Sequence, residues 1–269
     1  MNDRIKNTLE NYPRNWIKQI ITAISLIIII LWSGGALDFS AISTDGLSVA
    51  KSIWNGLINP DLDFLFDLSD AGVLYLLLET MAIAFLGTIV GAIIAIPISF
   101  LSATNIVPKP VAVIGRSLIM IIRTVPVFIY GVVFVRVAST GPFAGLLTMA
   151  FASIGMVSKM YIETIEDLDT KILESLDACG HNTFQKIRYG ILPQLMPDFA
   201  STIIYRFDMN LRDATILGLV GAGGIGAPLI FAMNAYRWSE VSSILIGLIV
   251  LVIIIEFIST KIRVKLARG

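Results

Sequence analysis

Cysteine, histidine and charge are all scarce in this sequence. Among 269 residues there is one cysteine, Cys179, and one histidine, His181. A single cysteine excludes an intrachain disulfide and a cysteine-based metal cluster. A single histidine excludes an H-E-x-x-H zinc site. No G-x-x-x-x-G-K-[ST] loop occurs, so nothing in the chain would cradle ATP phosphates. Charged residues make up only 15%, and their signs cancel to a net charge of zero. Nucleic-acid binding draws on a basic excess, which is absent here. No internal repeat or low-complexity tract interrupts the chain.

Apolar residues fill the gap. They account for 56% of the chain, and the mean hydropathy is +0.82. A chain of this length has room for roughly six spans of about 20 residues each. Apolar stretches fall at 17–37, 71–103, 111–138, 142–162, 197–233 and 240–260. They predict an all-α fold, a polytopic transmembrane helical bundle. Pro97 sits inside the second stretch and predicts a kink there, because proline removes one helix hydrogen bond.

Loop charge sets the orientation. The first stretch follows Arg4, Lys6, Arg14 and Lys18, and no small-x-small cleavage site ends it, so it reads as a retained anchor. Basic residues also occupy 104–116 and the end of the chain, where Lys261, Arg263, Lys265 and Arg268 stand without an acid. The segment 38–70 carries Asp38, Asp45, Asp61, Asp63, Asp67 and Asp70 against Lys51 alone. Both termini are therefore expected in the cytoplasm, with 38–70 outside. Residues 1–70 form an anchor span and an outward acidic loop. Residues 71–269 form a core that carries a polar hairpin at 163–193. Trp54, Phe64 and Phe66 give the outward loop a surface that a soluble partner can contact.

The hairpin is the least membrane-like part of the chain. Ile165, Leu168, Ile172 and Leu176 recur at helical spacing and predict one apolar stripe. Glu163, Glu166, Asp167, Asp169, Glu174 and Asp177 fill the rest of that surface, against Lys171. Anionic headgroups repel such a surface, which favours docking to a soluble subunit over resting on the bilayer. Gly180 is placed to take positive φ and stop the helix. Asn182 and Gln185 have the spacing of a capping box for a second helix carrying Phe184 and Ile187, ended by Gly190 and Pro193. His181 reads as an exposed loop residue, and Cys179 as a buried or interfacial small one.

The same segment resembles the cytoplasmic E-A-A loop of ABC importer permeases. Glu174, Gly180, Leu192 and Pro193 fall in its register. Ser175 and Leu176 replace the two alanines, and Gly190 replaces an isoleucine. RTVP at 123–126, STGPFAGLL at 139–147, RYGILPQ at 188–194 and YRFDMNLRDATILGLVGAGGIG at 205–226 together resemble permeases of the phosphonate importer family. The resemblance runs from near residue 75 to the C-terminus. It implies a type I ABC importer permease of the bacterial inner membrane, a non-catalytic subunit working as a homodimer. Its partners would be two cytoplasmic ATPase subunits, which bind ATP and Mg, and an extracytoplasmic substrate-binding protein. Glu174, Asp177, Ala178, Gly180, Leu192 and Pro193 would then couple the ATPase to the membrane helices. Two other readings compete: a permease of the same fold for methionine or phosphite, and an intramembrane enzyme acting on lipid phosphates.

Within the core, Arg206, Asp208, Asn210, Arg212 and Asp213 lie in a stretch that returns across the membrane, and Arg123 lies just before Pro126. Charges there must face protein, water or a dimer axis. Asp208 and Arg212 are spaced to pair along one helix face. Arginine forks suit a phosphonate dianion, so these residues are candidates for an anion path. A structural ion-pair network is the alternative, left open by the sequence. Gly221, Gly223 and Gly226, with Gly224 between them, match G-x-G-x-x-G, but no βαβ unit surrounds them. They read as a gate or hinge, as does Pro97.

Overall fold

The computed structural model describes residues 16–35 and 46–267. Arg4, Lys6, Arg14, Asp38, Asp45 and Arg268, which contribute to the orientation argument, lie outside the described residues. All regular structure among the described residues is helical. The chain divides into two units, residues 1–51 and 52–269. In the first, α1 (Trp16–Gly35) is apolar along its length and has no buried residue. A helix that is apolar all round suits a membrane span. Helix α2 (Gly46–Ile58) begins in this unit.

The second unit starts within α2. Helix α3 (Leu62–Phe66) is capped by Asp61, whose carboxylate accepts a hydrogen bond from Phe64 N at 3.0 Å. Just beyond it, the Ser69 hydroxyl and N–H hold the Asp67 carboxyl below its ordinary pKa. Ser242 Oγ donates to Leu57 O at 2.9 Å and Ser243 Oγ to Asp61 O at 2.7 Å. These bonds tie 57–61 to the start of α12 (Trp238–Ala267). Phe64 packs beside Val73, Ile244 and their neighbours, while Trp54 and Phe66 stay exposed. Of the three aromatics expected to face a partner, Phe64 is thus committed to the fold.

Among the described residues, four helices are long and apolar enough to cross a membrane: α1, α4 (Val73–Ser102), α7 (Pro142–Glu166) and α12. Helix α4 runs through Pro97 as one element. The third apolar stretch is not straight. Helices α5 (Lys109–Thr124) and α6 (Val127–Ala138) meet at 86° across Val125–Pro126. Proline clashes with a helical residue before it, and Val125 is accordingly extended, at φ −87° and ψ 124°. The fifth stretch becomes α10 (Leu192–Leu217), a 3-10 turn (Gly218–Val220), a glycine loop and α11 (Gly226–Asn234). Helix α10 has the length of a span but carries Asp198, Arg206, Asp208, Arg212 and Asp213.

Helices α4 and α7 pack most closely. A Cβ at Gly87 would lie 2.4 Å from Met149 Cβ, and one at Gly91 would lie 2.5 Å from Ala150 O. This G-x-x-x-G spacing lets two membrane helices touch backbone to backbone. At the hairpin end, Phe100, Ile165, Ile191, Leu195 and Phe199 form a core in which Tyr161 stacks on Phe199, ring centres 3.9 Å apart.

The hairpin departs from expectation in three places. Its first helix is broken: α7 ends at Glu166, and α8 (Thr170–Ala178) starts afresh, with the Asp169 carboxylate accepting from Lys171 N at 3.0 Å. That local bond competes with a continuous helix. Ile165 and Leu168 therefore join the core instead of extending a docking stripe. The acidic surface is also partly spent inside the chain. Glu166 accepts from Thr104 N at 2.6 Å and pairs with Arg116, and Asp177 pairs with Lys186. Finally, Gly190 and Pro193 do not end the second helix. The capping box forms, with Asn182 and Gln185 exchanging bonds of 2.9 Å at the start of α9 (Thr183–Gln185). A π-turn (Lys186–Ile191) then leads straight into α10. Leu192 N bonds the Ile187 carbonyl, five residues back. Pro193 falls where the pattern changes, so its missing N–H costs little. Gly190 is buried because a Cβ there would meet Leu176 Cδ1 at 2.3 Å.

The turn itself is as expected. Gly180 has φ +76°, Gly180 N bonds Asp177 O at 2.9 Å, and His181 N bonds Leu176 O at 3.2 Å. These are the paired bonds of a Schellman cap. The two residues beside the glycine differ from expectation: His181 is half-buried rather than exposed, and Cys179 is exposed at the tip rather than buried. Replacing Gly180 by valine forces a β-branched residue into the left-handed region, at a cost of about 1–2 kcal/mol or more. Hydrogen exchange at the His181 amide should accelerate in Gly180→Val. Unchanged protection there would mean the turn does not depend on glycine.

Candidate functional site

The polar face of α10 is the centre of the compact unit. Asn210 is fully buried, and its Nδ2 donates to Thr88 Oγ1 on α4 and Ser153 Oγ on α7, both at 2.7 Å. Arg206, only 4% exposed, donates from Nε to the same Ser153 Oγ at 3.3 Å and from Nη1 to Met156 Sδ at 3.2 Å. Its Nη2 lies 3.9 Å from Asp213 Oδ2. Arg212 faces another way. It pairs with Asp208 at 3.0 Å, one turn back, and with Glu256 of α12 at 3.2 Å.

Every ionised group of the α10 cluster has an opposite charge beside it. Arg206 and Arg212 face Asp208, Asp213 and Glu256, so the cluster holds two cations and three anions. That balance fits a network fixing helices together better than a magnet for a dianion. Arg123 is different. It is exposed on α5 and, among the described residues, has no ion pair or hydrogen bond. The structure therefore brings Arg206, Asp208, Asn210, Arg212 and Asp213 together and leaves Arg123 outside their bonding.

The glycine segment forms a tight loop between the 3-10 turn and α11. Gly221, Gly223 and Gly224 have φ of +78°, +81° and +73°. Gly224 N donates to Glu79 Oε1 at 3.3 Å, and Ile225 N donates to Thr80 Oγ1 at 2.9 Å. The amides that a nucleotide phosphate would use are thus bonded to α4. The loop also borders a cavity lined by Glu79, Thr140, Pro142, Pro228 and Phe231. Among the described residues, no three His, Cys, Asp or Glu side chains are placed to share a metal ion.

At the hairpin, Glu174, Asp177 and Ala178 are exposed, as is Pro193, while Leu192 is half-buried against the core. Glu174 has no hydrogen bond or ion pair among the described residues, which leaves its carboxylate available to another chain.

Several residues were missed by reading the sequence. Glu79, Thr88, Ser153 and Glu256 bond the glycine loop or α10, and each is a polar residue set among apolar ones in a long membrane helix. That isolation was the available signal, since such residues in a membrane helix carry a partner. Arg116 was missed because its partners, Glu166 and the Ser102 carbonyl, belong to neighbouring helices.

The comparisons with known proteins agree with this architecture. The phosphite transport system permease protein PtxC of Stutzerimonas stutzeri is 28% identical over 262 residues, 96% of this chain and 93% of that protein. The phosphate-import permease protein PhnE of Mycolicibacterium smegmatis is 33% identical over 233 residues, 86% of this chain and 43% of that longer protein. Among solved structures, an inward-facing MetNI methionine ABC transporter matches with a TM-score of 0.62 and 22% identity, covering 72% of this chain and 95% of that one. Residues 95–268, holding the bent α5–α6 pair's partners, the hairpin, α10 and α12, match the family described as the binding-protein-dependent transport system inner membrane component. The chain is a multi-pass membrane protein and belongs to that family of transport permeases.

Proposed function

We propose that the chain is the permease subunit of an ATP-driven importer for a small phosphorus oxyanion such as phosphonate, phosphite or phosphate. The observation that carries this reading is the similarity to a phosphite permease along 96% of the chain. The permease works as a homodimer, with both termini and the hairpin in the cytoplasm. Two ATPase subunits, holding ATP and Mg, dock on the exposed face of Glu174, Asp177 and Ala178. An extracytoplasmic binding protein delivers the anion to the opposite end, where Trp54 and Phe66 are exposed. Closure of the ATPases moves the hairpin, and the membrane helices alternate between inward and outward openings. The glycine loop held by Glu79 and Thr80 acts as the outer gate.

The arginines of α10 serve the helix packing in this reading. They leave no net positive charge for cargo, whereas Arg123 does.

Uptake tests the assignment directly. Proteoliposomes holding the permease, its ATPase and its binding protein should accumulate phosphite or methylphosphonate only when ATP is supplied inside. Accumulation of methionine instead would favour a permease of the same fold with another cargo. Glu174→Lys should leave folding intact, because Glu174 has no hydrogen bond or ion pair among the described residues. It should weaken ATPase docking on the order of tenfold by reversing a rim charge. Co-purification of the ATPase and stimulated ATP hydrolysis read this out, and wild-type values would remove Glu174 from the contact. Arg206→Met should destabilise the complex by up to about 3 kcal/mol, because Asp213 loses its partner. Adding Asp213→Leu should recover much of the loss in thermal unfolding. No recovery would mean that the pair is not the source of the effect.

A further inference from the structure

Helices α5 and α7 enclose a cleft that neither the hairpin nor the α10 cluster accounts for. Its lining from α5 is Arg116, Ile119, Met120 and Arg123, and from α7 it is Lys159, Ile162, Glu163 and Glu166. The helices run antiparallel. Arg116 pairs with Glu166 at one end, and the stem of Arg123 lies over Gly155 seven residues further along α5. Arg123 stands about 10 Å along α5 from Arg116, and Lys159, four residues from Gly155, stands about 6 Å or one turn along α7 from the seat of Arg123, on the side nearer Arg116, at 1.5 Å per residue. A Cβ at Gly155 would lie 2.9 Å from Arg123 Cγ, so the glycine makes the seat for the arginine stem.

The charges in the cleft do not cancel. Arg116, Arg123 and Lys159 face Glu163 and Glu166. Arg116 is held on both sides: its Nη2 by Glu166 and its Nε, at 3.0 Å, by the Ser102 carbonyl. Lys159 meets Glu163 at 3.2 Å, but both side chains are about half exposed, at 50% and 59%. An exposed pair of that kind is weak, so Lys159 is free to turn toward a stronger partner. Arg123 has none among the described residues. The cleft thus offers a planar guanidinium fork and, about one turn away, an ammonium, both on long side chains, with an anchored second guanidinium beyond them. Its volume of about 220 Å³ lies below the roughly 300–1,000 Å³ of pockets for drug-sized ligands. It suits a small anion.

We propose that this cleft binds a small tetrahedral phosphorus oxyanion between Arg123 and Lys159. Arginine takes two of its oxygens as a fork, and lysine takes the third as a point charge. The bound group has one of two sources. It is the transported anion on its way to the cytoplasm, which rests on the importer reading, or the phosphate of an anionic lipid lodged between the helices.

The permease–ATPase complex in nanodiscs of phosphatidylcholine alone tests the site, with phosphite and methylphosphonate as probes and phosphorus NMR line broadening as the readout. Arg123→Gln and Lys159→Gln should each weaken binding on the order of tenfold or more, as expected for a lost hydrogen bond to a charged group. Arg123→Lys should weaken it less. Gly155→Ala should weaken it by displacing Arg123 without removing charge. Arg136→Gln, on α6 outside the cleft, should change nothing. The lipid source predicts a different result: no free anion binds, but complexes from membranes containing phosphatidic acid retain that lipid in native mass spectrometry, and Arg123→Gln loses it. Equal anion binding and equal lipid retention in wild type, Arg123→Gln and Lys159→Gln would overturn the site. Phosphite uptake with unchanged KM in both variants would overturn the transported-anion source and leave the importer intact. Absence of any phosphorus oxyanion uptake by the wild type would remove the importer reading, while Arg123-dependent binding in the nanodisc would still uphold the site.

Discussion

The hydrogen bonds of Asn210 bind the membrane core together. Lipid tails are as apolar as leucine, so burial alone gives membrane helices little reason to choose one another. Close packing and polar bonds decide instead. Asn210 spends both amide protons, one on Thr88 of α4 and one on Ser153 of α7. Those hydroxyls are within reach because Gly87 and Gly91 bring α4 against α7. Arg206 adds a bond to Ser153 and stays buried because Asp213 and Met156 lie beside it. Remove the close approach and the amide loses a partner. Remove the amide and Thr88 Oγ1 keeps only its own bond to the Ala84 carbonyl, and Ser153 Oγ only the longer bond from Arg206.

The same demand for partners sorts the remaining charges. On α10 each arginine finds an acid, and the acids outnumber the arginines. Between α5 and α7 the balance is reversed, and Arg123 is the cation left over. An importer has to hold an anion and then release it. A site with one uncompensated charge and one weakly paired lysine meets both needs. A fully neutralised cluster meets neither, because an incoming anion would have to break ion pairs that already exist. The break at Val125–Pro126 places this arginine at the end of α5, next to an 86° change of direction.

Much of this was legible in the sequence where the signal is local. Apolar runs located α1, α4, α7 and α12, and the Asn182–Gln185 capping box and the positive φ of Gly180 follow from residues within a single turn. The four-residue spacing of Asp208 and Arg212 likewise appears as an ion pair. Failures came where a distant residue decides. Glu166 looked like part of a docking surface but is taken by Arg116 and Thr104, 50 and 62 residues away. Gly190 looked like a helix stop but is small because Leu176 sits on it. Pro126 is the local exception: it looked compatible with one span, yet it turns the chain through 86° by forcing Val125 out of the helix.

The hairpin and the Asn210 clasp belong to one mechanical element. Helix α8 is fastened to the π-turn by the Asp177–Lys186 pair and by the contact of Leu176 with Gly190. The π-turn continues without a break into α10, which carries Arg206 and Asn210. A displacement of α8 therefore reaches α10 along a helical path rather than through a flexible loop. A π-turn holds one more residue per hydrogen-bonded ring than an α-turn, and such turns recur at functional sites. In the importer reading, force applied at Glu174 first tests that turn, and only then the bonds that hold α10 to α4 and α7.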